Sequence, residues 1–484
     1  MTPQPARSHY LVTFAVLALA GLSFALLQSL VAPALPVIQR DLHTTTTAVT
    51  WVLTGYLLSA SVATPIAGRL GDMFGKERML VIVLSVTAFG TALAGLASSI
   101  ETLIAARVIQ GLGGAVFPLA FGIIRDEFPR ERVATGIALV SAILGIGGGA
   151  GIVLAGPIVE RLSYHWLFWL PLGTTALAAV ATAVLVPESP VKSPGRINWL
   201  GAALLSSWLV CLLVAFSKAV DWGWTSARFL GLLAAAAVLL VLWVWAELRA
   251  PEPLVDMRML RRRPIWTTNL TGLLIGFGMF GSFILVPQFV ETPKASGFGF
   301  GASVTQAGLF LVPSTFTMLL SSPIAARLTN RLGPKVPLAI GALITALAFV
   351  LLAVQHDEAW HIYLMSALLG AGMGMAFAAM ANLIVQAVPP EQTGVATGMN
   401  TIMRTIGGSI GGQVTAAVVA ANISAAGLPQ ESGFTLAFVV SAGALVIAFL
   451  SALAVPGRPG PGAGAGAGAA RREAPAREAQ PATG

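Results

Sequence analysis

Long apolar runs, broken by short charged or Pro/Gly-rich segments, set the pattern of this chain. Each run is long enough for a helix to cross a bilayer core of roughly 30 Å. Cutting at the breaks predicts six spans near 10–36, 49–70, 79–98, 102–124, 133–159 and 164–186. Two more fall near 199–217 and 228–248, and a last six near 266–290, 303–326, 336–354, 360–386, 393–420 and 434–455. The first run follows Arg7 and imitates a signal peptide. It is too long for an h-region and many like it follow, so it reads as a retained first helix. After Pro456 the chain turns to Gly, Ala and Pro without periodicity, which predicts a disordered cytoplasmic tail over 456–484. The expected fold class is therefore an all-α polytopic membrane protein with fourteen transmembrane helices. An N-terminal six-helix bundle (10–186) and a C-terminal one (266–455) flank two inserted helices with cytoplasmic linkers (187–265).

Composition agrees: 56% of residues are hydrophobic and 10% charged, against about 25% charged in ordinary soluble domains. The net charge of +8 raises the question of nucleic acid, and the placement of Lys and Arg answers it. With the N-terminus taken as cytoplasmic, 21 of the 28 basic residues fall on the cytoplasmic side and 5 on the other. Only Arg107 and Arg404 lie inside spans. This bias puts both termini in the cytoplasm and accounts for the basic balance without nucleic acid. The single cysteine, Cys211, excludes an intramolecular disulfide. The five histidines (His9, His43, His165, His356, His361) sit at span ends or in loops, with no nucleophile–base constellation, so no enzyme, metal or cofactor is expected. His356 and His361 are near enough in sequence to share a metal, although surface polarity is the simpler reading.

The chain also repeats itself. In TPIAGRLGDMFGK (64–76) and SPIAARLTNRLGP (322–334), Pro65, Ile66, Ala67, Arg69, Leu70 and Gly75 match Pro323, Ile324, Ala325, Arg327, Leu328 and Gly333 at a constant offset of 258. VATG occurs at 133–136 and 395–398, each copy followed by a glycine-laden stretch, GIGGGAG (145–151) and GGSIGG (407–412). Duplicated six-helix halves are a recurring transporter design with a substrate site near the midplane.

Within the first copy, GRLGDMFGKERML (68–80) puts five charges among apolar spans. As a phosphate loop it fails: Gly71–Gly75–Lys76 is one residue short, and Glu77 stands where Ser or Thr is needed. The stretch resembles instead the loop signature G-x-L-x-D-R-x-G-R/K of the major facilitator superfamily, through Gly68, Leu70, Asp72, Gly75 and Lys76, with Met73 in place of Arg. RVIQGLGGA (107–115) resembles that family's helix-4 motif through Arg107, Gln110, Gly111 and Gly113. The six-two-six arrangement resembles its fourteen-helix drug:proton antiporter group. Two departures stand out. The antiporter motif G-P-x-x-G-G is degraded, its only Gly-Pro being Gly156–Pro157. The aspartate that the resemblance implies in span 1 is absent, with Leu27 at its position and Gln28 beside it.

Two readings of the charged stretch stay open. It is a solvated turn, or a latch. In the latch, Asp72 faces the positive N-terminal end of span 13 and Lys76 and Arg78 pair with Asp126 or Glu127, in one conformational state only. Arg107 and Arg404 each cost about 2.5–3.5 kcal/mol to insert, so each faces a polar cavity or is a structural arginine bonded to backbone carbonyls or glutamines. Gln28, Arg107, Gln110 and Arg404 are the candidate cavity groups, and Glu101 the candidate for proton coupling. Gly147, Gly151, Gly156, Pro157, Gly407 and Gly411 are expected at close helix contacts. The expected function is alternating-access export of amphipathic small molecules across the plasma membrane by proton antiport. The alternatives are an importer or uniporter without protons, and a non-transporting sensor or scaffold. The expected partners are a small-molecule substrate, protons and the bilayer, for a monomer without cofactor.

Overall fold

The computed structural model describes residues 9–193, 195–423 and 429–456, and the predicted tail lies outside the described residues beyond Pro456. Helices are the only regular elements among the described residues, apart from one isolated bridge between Ile423 and Pro429. Fourteen long helices follow one another. The first six are α1 (Tyr10–Asp41), α2 (Thr46–Phe74), α3 (Lys76–Gly95), α4 (Ile100–Glu127), α5 (Arg130–Arg161) and α6 (Trp166–Leu185). Next come α7 (Trp199–Ser217) and α8 (Ala227–Arg249). The last six are α9 (Arg263–Glu291), α10 (Val304–Leu332), α11 (Lys335–Val354), α12 (Ala359–Ala387), α13 (Thr393–Ala421) and α14 (Glu431–Ala454). Thirteen are long and apolar enough to cross a membrane among the described residues. The exception is α13, whose 29 residues include Asn400, Arg404 and Gln413.

Where these helices end differs from the apolar pattern in an instructive way. α2 continues four residues past the predicted end of its span at 70, carrying Arg69 and Asp72 inside the helix. A charge ends a hydrophobic count, but it does not interrupt the backbone ladder. What stops α2 is Gly75, at φ 119°, and what stops α10 is Gly333, at φ 85°. Only glycine takes such angles without strain. The two glycines are the matched pair of the sequence repeat. α1 bends through a tight turn at Ala32–Ala34, beside Pro33 and Pro36, and α4 does so at Leu112–Ala115. The second bend lies where Gly111 and Gly114 meet the backbone of α2 at Tyr56 and Ala60.

The packing repeats as the sequence does. α1 packs on α5 and α6, α2 on α4, and α3 on α4 and α6; α9 packs on α13 and α14, α10 on α12, and α11 on α12 and α14. The two groups meet along two seams, α2 against α13 and α5 against α10. α7 lies against both helices of the first seam, and Thr54 and Ser217 hydroxyls bond at 3.1 Å. α8 covers α7 from outside, with Trp208 and Trp243 ring centres 6.0 Å apart.

Small residues allow these approaches. Gly147 and Gly151 face Ala25 and Ser29 of α1, where the Ser29 hydroxyl donates to the Gly147 carbonyl at 3.0 Å. Gly145 and Gly149, two residues away and on another face, meet Met318 and Thr315 of α10. Gly156 lies beside Thr305, one residue before Pro157 inside α5. Gly407 and Gly411 touch the carbonyls of Leu273 and Phe277 on α9. By contrast, a methyl group at Gly148 would meet nothing within 4 Å. Gly411→Ala should therefore cost about 1–3 kcal/mol through overpacking and lower the melting temperature in detergent, whereas Gly148→Ala should leave it unchanged. Equal melting temperatures for the two variants would show that the α9–α13 contact is not tight.

Candidate functional site

α13 starts with backbone N–H groups that have no partner inside the helix, and its own preceding residue, Gln392, offers no side-chain cap. A carboxylate from another helix takes that place. Asp72 accepts from Gly394 N–H through Oδ1 and from Val395 N–H through Oδ2, each at 3.1 Å. Gly68, one turn earlier on α2, meets the Gly394 carbonyl directly, and a side chain at either glycine would collide with the other backbone. The helix N-terminus carries roughly half a positive charge, which favours the anion.

Behind Asp72 lies a buried ion pair. The Lys76 ammonium donates to Asp126 Oδ2 at 2.7 Å and sits 3.9 Å from Asp72. Lys76 and Asp72 are fully shielded, and Asp126 is 2% exposed. Gly122, one turn before Asp126, leaves room for the Lys76 stem. Arg78 does not join this pair, contrary to the expectation from sequence. It follows Lys76 by two residues, about 200° around α3, so it points outward, 70% exposed, to Glu188 at 3.3 Å.

The segment between α6 and α7, which no motif had singled out, runs across this cluster. Ser189 Oγ donates to Asp126, Ser193 N–H donates to the Asp72 carbonyl at 2.7 Å, and Val191 and Ser193 accept from Lys76 and Arg69. Coil carries no periodicity, so nothing in the sequence announced it. Arg125 is also new. It reaches across to α13, donating to Thr393 Oγ1 at 2.7 Å and to the Val388 carbonyl at 2.9 Å. Helical spacing was its signal: Phe117, Phe121 and Arg125 fall four apart on one face of α4. On the partner group, Asn382 of α12 donates to the Ala134 carbonyl of α5 at 3.3 Å.

Between the seams lies a narrow cavity of about 20 Å³, room for one water-sized molecule. Phe117, Phe121 and Ser141 line it from one group, and Phe377, Asn400 and Arg404 from the other. Arg404 stacks over Phe377, 4.6 Å from the ring centre, and its Nη2 donates to Thr401 Oγ1 at 3.3 Å. Arg107 has another setting. It is fully buried and donates to the carbonyls of Val52 and Leu27, both at 3.1 Å, and to Gln110 Oε1 at 2.8 Å, over the Tyr56 ring. Neither Arg107 nor Gln110 lines the cavity, and Gln28 lies half-buried apart from it. Glu101 is exposed in the first turn of α4, about 24 Å along the helix from Phe117. His356 is drawn to Glu431 at 2.8 Å rather than to His361, which caps α12 at Glu358 N–H.

With thirteen helices apolar enough to span among the described residues, paired twice over in one pattern about a central cavity, this is a multi-pass membrane protein. It belongs to the Major Facilitator Superfamily, whose family model matches residues 17–412 and 299–482. It is 31% identical over 389 residues to the tetracenomycin C resistance and export protein of Streptomyces glaucescens, covering 79% of this chain and 71% of that protein. It is 29% identical over 373 residues to the multidrug transporter protein MdtP of Bacillus subtilis, covering 76% and 68%. Similarity to the multidrug resistance protein Stp of Mycobacterium tuberculosis is 30% over 367 residues, covering 75% and 67%. The fold matches the crystal structure of the human organic anion transporter MFSD10 (TETRAN) with a TM-score of 0.66 at 18% identity, over 93% of this chain and 100% of that one.

Removing one member of a buried ion pair leaves the other charge uncompensated, at about 3–5 kcal/mol. Lys76→Met should accordingly depress the melting temperature in detergent strongly, and adding Asp126→Leu should recover part of the loss. A double variant no more stable than Lys76→Met would show that the two charges do not depend on each other.

Proposed function

We propose that this chain is a fourteen-span secondary transporter, with both termini in the cytoplasm, that exports amphipathic small molecules from the cell by alternating access. The observation that carries this reading is the Asp72 bond to the start of α13, which ties together the two six-helix groups that line the narrow cavity. Asp72, Gly68, Gly75, Lys76, Arg78 and Asp126 act as a latch on the cytoplasmic side. Gly68 lets the backbones touch, Gly75 turns the chain, Lys76 and Asp126 hold Asp72 in place, and Arg78 ties the segment after α6 to α3. The latch is made only while that side is closed, so it biases one of two states. α13 counts as the fourteenth span because its polar side chains turn toward other helices, as Asn400 does toward Asn269 at 3.1 Å. Export, rather than uptake, is supported by the relatives, one a resistance and export protein and another a multidrug transporter.

Protons are the proposed exchange partner, in line with the antiporter group that the sequence resembles. One observation favours a second reading, uniport without protons: none of the residues lining the cavity is a carboxylate.

Asp72→Asn keeps the shape but weakens charge-assisted bonds that are about twice as strong as neutral ones. It should slow efflux several-fold from vesicles while the protein still inserts and purifies as a folded species; wild-type turnover would sink the latch. In proteoliposomes, an imposed pH gradient should drive substrate accumulation against its own gradient. Transport that proceeds downhill but ignores the pH step would favour the uniporter.

A further inference from the structure

Resting on the reading of this cavity as the substrate site, we infer that its occupant is an organic anion: an apolar, aromatic-bearing molecule with one acidic group, held by Arg404. The two arginines inside the spans make the contrast. Arg107 donates to three acceptors, two backbone carbonyls and the Gln110 amide oxygen, as a side chain that ties helices together, and only its Nη2 lacks a partner. Arg404 has one hydroxyl, at 3.3 Å, and its Nε is shut away from solvent with no partner. Among the described residues no carboxylate pairs with it. A guanidinium offers five N–H donors in a fixed fork, so most of its capacity is unspent, and it opens on the cavity that both groups line.

A planar carboxylate matches that fork with two parallel bonds, and an acidic phenol matches it with one. The remaining walls suit the rest of such a molecule. Phe117 and Phe121 come from α4 and Phe377 from α12, giving flat apolar faces on both sides. A cationic cargo would instead bring a second positive charge to an uncompensated one, in surroundings that screen poorly. At about 20 Å³ the cavity is too small for such a molecule in this conformation, so binding requires the groups to part. Arg404 is suited to report that parting, because it rides on the same helix that Asp72 holds. It lies about 14 Å along α13 from the Asp72 bonds.

The test uses the purified transporter in detergent with three matched probes: 2-naphthoate, 2-naphthamide and 2-naphthylmethylammonium. Calorimetric titration should show the carboxylate binding at least ten-fold more tightly than the amide, with the ammonium compound weakest. Arg404→Gln should remove that preference for the carboxylate, and Arg404→Lys, which keeps the charge but not the fork, should keep part of it. The inference is overturned if 2-naphthoate does not bind wild-type protein, if the ammonium probe binds as tightly, or if a folded Arg404→Gln or Arg404→Lys protein keeps the full preference. The wild-type comparison decides even if neither variant folds. Binding is read without a gradient, so the outcome is separable from export. Protein that binds 2-naphthoate through Arg404 but moves nothing in proteoliposomes would sink the transport reading alone. Protein that transports the ammonium probe and not the carboxylate would sink only this one.

Discussion

α13 begins without a cap of its own, and a carboxylate from α2 supplies it. Much of the arrangement at that end of the molecule follows from this one borrowed bond. Two N–H groups in a helix start need an anion at close range, so the backbones must come together, which requires glycine at both 68 and 394. The anion is buried, so a cation must stand behind it, which is Lys76. Lys76 in turn lies deep enough to need a full partner, Asp126, and a glycine at 122 to admit its stem. Each step answers the same requirement, that a polar group removed from water must meet another.

The same requirement separates the two span-borne arginines. Both looked alike in sequence, each a costly cation in an apolar run. The difference lies in backbone carbonyls on other helices: Val52 and Leu27 turn toward Arg107, and no equivalent pair turns toward Arg404. Carbonyl positions depend on how helices cross, and a single chain's residue pattern does not encode that crossing legibly. For this reason sequence reading located both residues and favoured Arg107, whereas the structure places Arg404 on the cavity.

Other features were readable to the extent that a local rule governed them. The apolar runs had to be helices because lipid offers no partner for backbone groups, and their positions agree with the structure to within a few residues except where a charge or a proline lay inside a helix, as in α2 and α1. The turn glycines 75 and 333 stood out as a matched pair, and the structure gives both positive φ. Arg78's partner was misjudged because two residues of helical rotation reverse its direction, and Glu188 lies on irregular chain that carries no pattern. Arg125 was counted only as one more inside-facing charge, although its four-residue spacing from Phe121 already placed it on the inner face of α4.

The inserted pair α7 and α8 alters a molecule that is otherwise close to two-fold in its pairings. α7 touches both α2 and α13, and its Leu205 and Leu209 pack in one cluster with Met399 and Ile402, so one seam is roofed by protein. The other seam has no such cover: Leu309, Val312, Phe316 and Leu320 flank the α5 contact on α10 and stay exposed. The α5–α10 seam therefore offers an apolar flank to its surroundings, while α7 covers part of the α2–α13 seam. In a bilayer the two seams would meet lipid unequally, the α5–α10 contact through its own apolar side chains and the α2–α13 contact partly through α7.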